Sequence, residues 1–279
     1  MTEDYVSIFV NSALAKENPL AALSLMFLFL ARFLPIISLS PFFGARVLPH
    51  PVKVTFALSM FVVMLPQLVT VTTTPIGFNL QLVLLASKEL LIGFIIGFMV
   101  SMPFNIVQNA GIIIDHQRGG ASLMVNDPTI QNQSSPLGTL FNMVLIYLFY
   151  LMDGPFLFLD AISHSYDIIP PDKFFNANFF ASGSTFWETQ MQLLNKVMIL
   201  SIQLATPALL AILMTDAFLG IANRLAPQVQ ITFLGMPLKS LLALVVICVG
   251  WKLYNAEAVK QTYQWLNSIE LMIKTFKPV

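Results

Sequence analysis

Charge is scarce in this 279-residue chain. Asp, Glu, Lys and Arg together make up 10%, against 57% hydrophobic residues. A soluble domain carries roughly 25% charged residues, so the polar surface that would cover a water-exposed globule of this length is missing. Disorder, a collagen-like fold and a coiled coil are excluded by the same shortage. An excess of one sign is absent too. The 14 basic and 14 acidic residues cancel, which leaves no basic stripe for nucleic acid. Cysteine is nearly absent: Cys248 stands alone, so no internal disulfide can form, and its apolar setting reads as a packing thiol. The three histidines, His50, His116 and His164, are scattered without metal-ligand spacing. No metal, cofactor or catalytic residue is expected. A multi-helix membrane protein remains, or a chain buried inside a larger hydrophobic assembly.

What the sequence has is long apolar runs. Six blocks cover residues 19–43, 54–71, 90–114, 137–159, 193–219 and 229–253. Each approaches the ~20 residues of a spanning helix, and none shows the period-two alternation of a strand. The expected fold is all-α, a membrane-type protein of about six hydrophobic helices arranged as hairpins. Pro35, Pro66, Pro103, Pro207 and Pro237 fall in or beside the blocks. Each frees a carbonyl that needs a partner in lipid, which predicts bent or broken helices. Residues 160–188, with Pro170-Pro171 and Ser182-Gly-Ser, read as the longest polar loop.

Charge placement gives an orientation. Glu3 and Asp4 occupy the stretch where a signal peptide needs positive charge, so the first apolar run is expected to be retained. Arg46, Lys53, Arg118 and Arg224 sit in alternate connections, and the others are uncharged or mostly acidic. The positive-inside rule then puts both termini outside. Lys252, Lys260, Lys274 and Lys277 in the tail run against this rule. Val259, Tyr263, Leu266, Ile269, Ile273 and Phe276 recur every three or four positions, so residues 256–279 read as a surface amphipathic helix.

Four constellations carry the functional signal. Glu89, Gly93, Gly97 and Ser101, four apart, form a small-residue ribbon for close helix packing, within the chain or between subunits. Gly111, Asp115, Gln117, Arg118, Gly119 and Gly120 end an apolar helix in charge and a double glycine, ahead of an apolar loop containing Leu123, Met124 and Val125 and closed by Asp127-Pro128. Asp115 beside His116 lacks a third catalytic group, so a helix-end charge cluster is the better reading. Asp216, Asn223, Arg224, Pro227, Gln228, Pro237 and Lys239 form the third, in which Asp216, Arg224 and Lys239 are expected to order a hairpin. Arg32, with Pro35, is the fourth. A charge inside an apolar block needs a partner, and Glu89 and Asp216 both qualify.

In this order and spacing, these constellations resemble the export-gate proteins of type III secretion, the SctT/FliR family, from Arg32 to Lys239. The pattern Gly111-xxx-Asp115-x-Gln117-Arg118-Gly119 and the run Asn223-Arg224-x-x-Pro227-Gln228 with Met236-Pro237-Leu238-Lys239 carry the likeness. With Ser134-Ser135-Pro136-Leu137-Gly138 they resemble the injectisome branch more than the flagellar one. Ile231-Thr232-Phe233 and Gly235 depart from that branch's usual residues.

The resemblance implies a subunit present once beside about five copies of an R-type and about four of an S-type subunit in a helical, cone-shaped pore. A U-type switch protein, a V-type export protein, membrane lipid and secreted unfolded polypeptides are the implied further partners. It implies a multi-pass protein of the bacterial inner membrane, its gate body largely periplasmic. Within a single export-gate domain, residues 1–160 would be R-type-like and 190–255 an S-type-like hairpin. Residues 119–127 would form part of a plug. The rival from the residues alone is an autonomous secondary transporter or channel, with Arg32 and Asp216 at a midplane site.

Overall fold

The computed structural model describes residues 20–43, 48–74, 76–119, 135–174, 185–225 and 231–275. Seven α-helices account for nearly all of them: α1 (Ala21–Leu39), α2 (His50–Val71), α3 (Leu80–Gln117), α4 (Pro136–Leu151), α5 (Gly154–Ile168), α6 (Thr185–Leu225) and α7 (Ile231–Thr275). A short 3-10 turn, Pro41–Phe43, follows α1. No strand occurs among the described residues. Five helices are long and apolar enough to cross a membrane, and α4 with α5 makes a sixth if the bent pair counts as one span.

The prolines act differently from the sequence expectation. α1, α2, α3, α6 and α7 run through Pro35, Pro66, Pro103, Pro207 and Pro237 respectively. The reason is visible at Pro103, which cannot donate to the Met99 carbonyl one turn earlier. The Trp265 indole N–H donates to that carbonyl instead, at 2.8 Å. The break falls elsewhere. The block at 137–159 is two helices, α4 and α5, meeting at 75°. Asp153 takes a left-handed conformation there (φ 54°), and Pro155 occupies the first turn of α5, where a proline's missing N–H costs nothing. The expected loop at 160–188 is therefore helical up to Ile168.

The tail also differs. α7 continues to Thr275 with no separate tail helix. Its inward face carries Ala258, Thr262 and Trp265, and Tyr263 is exposed. The buried face is thus one position away from the apolar stripe that the spacing picked out.

The chain divides into two compact units. The first comprises Met1–Ser101, Asp153–Met191 and Trp265–Val279, and the second Met102–Met152 and Gln192–Gln264. In the first, α1 packs on α2 and α2 on α5. Its core is aromatic: Phe29 stacks on Phe33 at 5.0 Å and on Tyr166 at 5.7 Å, and Phe42 meets Phe158 edge-on at 5.1 Å. In the second, Phe104 meets Phe149 edge-on at 5.6 Å, and Phe141 lies 4.5 Å from Tyr254.

The ribbon on α3 sets the α1–α3 spacing. A Cβ on Gly93 would overlap the Arg32 carbonyl, and one on Gly97 would come within 3.0 Å of the Ile36 Cα. Both contacts lie within the chain. Backbone cannot yield as a side-chain tip can, so overpacking here sits at or above the ~1–3 kcal/mol that extra methylenes usually cost. Gly93→Ala is expected to lower the unfolding temperature of the purified protein by several degrees, and Gly220→Ala, where a Cβ meets nothing within 4 Å, is expected to leave it within a degree or so.

Candidate functional site

Two buried polar joints organise the described residues, one in each unit. The first begins with Arg32, fully buried on α1. Its Nε and Nη2 donate to the two oxygens of Glu89 on α3, the latter at 2.9 Å. This forked geometry is the strong form of the Arg–carboxylate contact. Nη1 donates to Ser165 Oγ at 3.1 Å, and Nη2 also reaches the Ile169 carbonyl at 2.8 Å. The guanidinium lies 4.0 Å above the Tyr166 ring, a favourable cation–π placement. Asp216, the other partner that the sequence left open for Arg32, is engaged in the second unit.

Lys88 adds a second cation. Its Nζ lies 2.7 Å from Glu89 Oε1 and donates to the carbonyls of Pro170 (2.9 Å), Pro171 (3.3 Å) and Lys173 (2.7 Å). Two cations and one carboxylate leave one positive charge over. The carbonyls just past the C-terminus of α5, its negative dipole end, take up that excess.

Asp172 closes the joint. Its Oδ2 accepts from the backbone N–H and hydroxyl of both Thr73 and Thr74, all at 3.0 Å. Burial alone would raise this carboxyl, but the four donors outweigh burial and hold it below the usual carboxylate range. Nearby, Gln67 on α2 donates to Asp167 Oδ1 at 2.8 Å and accepts from Ser163 Oγ at 2.6 Å on α5.

The second joint is the helix-end motif. Gly111 crosses Gly138 so closely that a Cβ on Gly111 would overlap the Gly138 nitrogen. One turn on, the buried Asp115 carboxylate accepts from Ser135 Oγ and, at 3.0 Å, from Leu137 N–H. It also accepts from Arg118 Nε at 2.7 Å. Ser135 caps α4 by accepting from Gly138 N–H at 2.9 Å. Arg118 Nη1 reaches Ser240 on α7 at 3.1 Å. Gly119 has φ +87°, a conformation that glycine adopts without strain. His116 and Gln117 are exposed, and Asp115 is taken up by its donors, in keeping with a helix-end cluster. The motifs around residues 111–119 and 135–138 thus form one joint.

The third constellation separates. Asp216 pairs with Lys239 across α6 and α7. Asn223 and Arg224 stand exposed at the end of α6, and the neighbouring helix brings Lys239 to Asp216. Pro227, Gln228 and the segment Gly120, Leu123, Met124 and Val125 lie outside the described residues.

Sequence reasoning missed Asp172, Ser165, Ser240 and the role of Ser135. For Asp172 a signal existed, namely a lone acid after Pro170-Pro171 and a threonine run at 72–74 that needs an acceptor. Ser165 and Ser240 have none. Among the described residues no three His, Cys, Asp or Glu side chains are grouped to hold a metal ion.

Two predictions follow from the first joint. Glu89→Gln keeps the volume and leaves Arg32 buried without its countercharge. Breaking a buried pair in this way costs ~3–5 kcal/mol, to be read as lost protein yield and a lower unfolding temperature. The double substitution Arg32→Met/Glu89→Met is expected to recover part of that loss. For Asp172, the folded carboxyl titrates below its unfolded value of ~3.9. Its stabilisation is therefore complete above that pH and fades as pH falls through the folded value. Unfolding curves for the parent and Asp172→Asn are expected to differ at pH 7, to begin converging below about pH 4 and to meet only below the folded value.

Comparison with known proteins places this arrangement. The model of the bacterial export proteins, family 1, matches residues 23–264. The Yop proteins translocation protein T of Yersinia pestis is 32% identical over 194 residues, covering 69% of this chain and 72% of that protein. The secretion system apparatus protein SsaT of Salmonella typhimurium is 32% identical over 169 residues, covering 60% of this chain and 62% of that protein. The flagellar biosynthetic protein FliR of Escherichia coli is 29% identical over 223 residues, covering 80% and 82%. Identity is higher to the two secretion proteins than to the flagellar one, which favours the injectisome branch.

Proposed function

Because this chain belongs to the bacterial export proteins, family 1, we propose that it is the single-copy subunit of a type III export gate, in an inner-membrane-associated pore for unfolded polypeptides. The observation that carries this reading is uneven burial. In the most apolar window of α3, 67% of residues are buried inside the chain, whereas in that of α7 the share is 6%. A helix so apolar and so bare needs other surfaces to cover it. R-type and S-type subunits supply most of that cover and membrane lipid the rest, α6 and α7 acting as the S-type-like hairpin and the part before residue 160 as the R-type-like one. The U-type and V-type components of the machine adjoin this assembly. The gate body lies largely on the periplasmic side, with both termini there. Transport energy enters elsewhere in the machine, and this chain contributes shape and a seal.

The two joints support that role by holding fixed what flanks the seal. Asp115 ties the end of α3 to the start of α4, the two ends between which the apolar segment with Leu123, Met124 and Val125 runs. A Met-containing apolar constriction can re-form around varied chains and close by dewetting. The transporter reading loses ground because Arg32 is tied to Glu89, and Asp216 to Lys239.

Replacing Leu123, Met124 and Val125 with Ser is expected to leave the co-expressed complex at normal yield. Cells that are not secreting are expected to become permeable to small dyes and ions. If the assembled variant stays as tight as the parent in a dye-uptake assay, this segment is not the seal.

A further inference from the structure

The second unit holds a cavity of about 580 Å³ between α6 and α7. That volume falls in the ~300–1,000 Å³ range of small-molecule sites. The proposed gate role gives it no task. The cavity is graded along its length. One end is apolar, walled by Ala208, Val245, Val246 and Val249, and the other carries Gln203, Tyr254, Glu257 and Gln261. Val249 and Leu253 line it while being 83% and 78% exposed, so it opens sideways onto the bare apolar face of α7. The run from Val245 to Leu253, apolar apart from the exposed Lys252, rises ~12 Å, within the ~15 Å depth of one leaflet's hydrocarbon.

One polar group at the polar end lacks its usual partner: the Tyr254 hydroxyl is buried without a hydrogen-bond partner among the described residues. Pro207, also in the wall, cannot supply the N–H that the Gln203 carbonyl would receive in an unbroken helix. An apolar void without polar lining stays dry, whereas an unpaired hydroxyl inside one calls for an acceptor. Gly250 completes the picture: it lines the cavity, and a Cβ there would meet nothing within 4 Å. The floor is kept open by the absence of a side chain, although glycine costs helix stability.

We propose that this cavity binds one acyl chain of a membrane phospholipid. The tail lies along Val245, Val249 and Gly250, and an ester carbonyl accepts from the Tyr254 hydroxyl. The polar headgroup sits beside Glu257, which accepts from Gln261 at 2.7 Å and faces Lys260 at 3.6 Å. An amphiphile matches the apolar-to-polar gradient and arrives from the surface onto which the cavity opens.

The test uses the chain co-assembled with its partner subunits in nanodiscs of phosphatidylethanolamine and phosphatidylglycerol. These contain a trace of phosphatidylglycerol with a diazirine on one acyl chain. After photolysis, peptide mapping is expected to place label on residues 245–254 of α7 and around Pro207 of α6. Gly250→Leu fills the slot and is expected to cut that label about tenfold, and Gly220→Leu, in open space on α6, is expected to leave it unchanged. Tyr254→Phe keeps the shape and removes only the hydroxyl, so a loss of a few-fold is expected. It also decides the matter if Gly250→Leu fails to assemble. Equal labelling in parent, Gly250→Leu and Tyr254→Phe would overturn the proposal. So would a benzophenone side chain at position 250 that cross-links to a partner subunit and not to lipid.

Discussion

The contact on which the first unit depends is the fork between Arg32 and Glu89, made where two helix backbones nearly touch. Neither element works without the other. The Gly93 and Gly97 contacts bring α1 and α3 close enough for a bidentate bond between their side chains. The bond in turn removes the cost of two charges inside an apolar segment, where each alone is strongly unfavourable. Lys88, Ser165 and the carbonyls after α5 then gather on the same site. One buried charge pair thus specifies which faces of α1, α3 and α5 meet, a task that apolar packing leaves loosely determined in a core of similar Leu, Ile and Phe side chains.

The second joint repeats the design with the signs reversed. There a buried carboxylate, Asp115, is the hub, and its partners are a hydroxyl, a backbone N–H and Arg118. Again a glycine contact, Gly111 on Gly138, brings the backbones together first. Both joints leave large apolar faces uncovered on α6 and α7. The chain is therefore internally well specified around α3 and under-covered at its C-terminal helices, as suits a part that completes itself inside an assembly.

Much of this was legible in the sequence, for definite reasons. Long apolar runs with few charges dictate helices, and the ribbon at four-residue spacing lies where α1 and α3 come close. The motif at 111–119 was recognisable as a helix end because charge and glycines follow an apolar run. Pairings that depend on three dimensions were left open by the sequence. Asp216 meets Lys239 because its partner comes from the neighbouring helix. The prolines did not interrupt their helices, because a freed carbonyl can be served from afar, as Trp265 serves Met99. The true break, at Asp153-Gly154, hid inside an apolar block, where composition carries no signal for a left-handed residue. The tail's stripe was displaced by one position because spacing alone does not say which side of a bare helix finds a neighbour.

Membership of a hetero-oligomeric export gate, as proposed, is decided by the mass of the native assembly. The chain should be expressed with its R-type and S-type partners, extracted in mild detergent and weighed intact. A large complex containing one copy of this chain and several of each partner is expected, and the chain expressed alone is expected to be degraded or poorly dispersed. A stable monomer or homodimer that transports a solute on its own in proteoliposomes would contradict it.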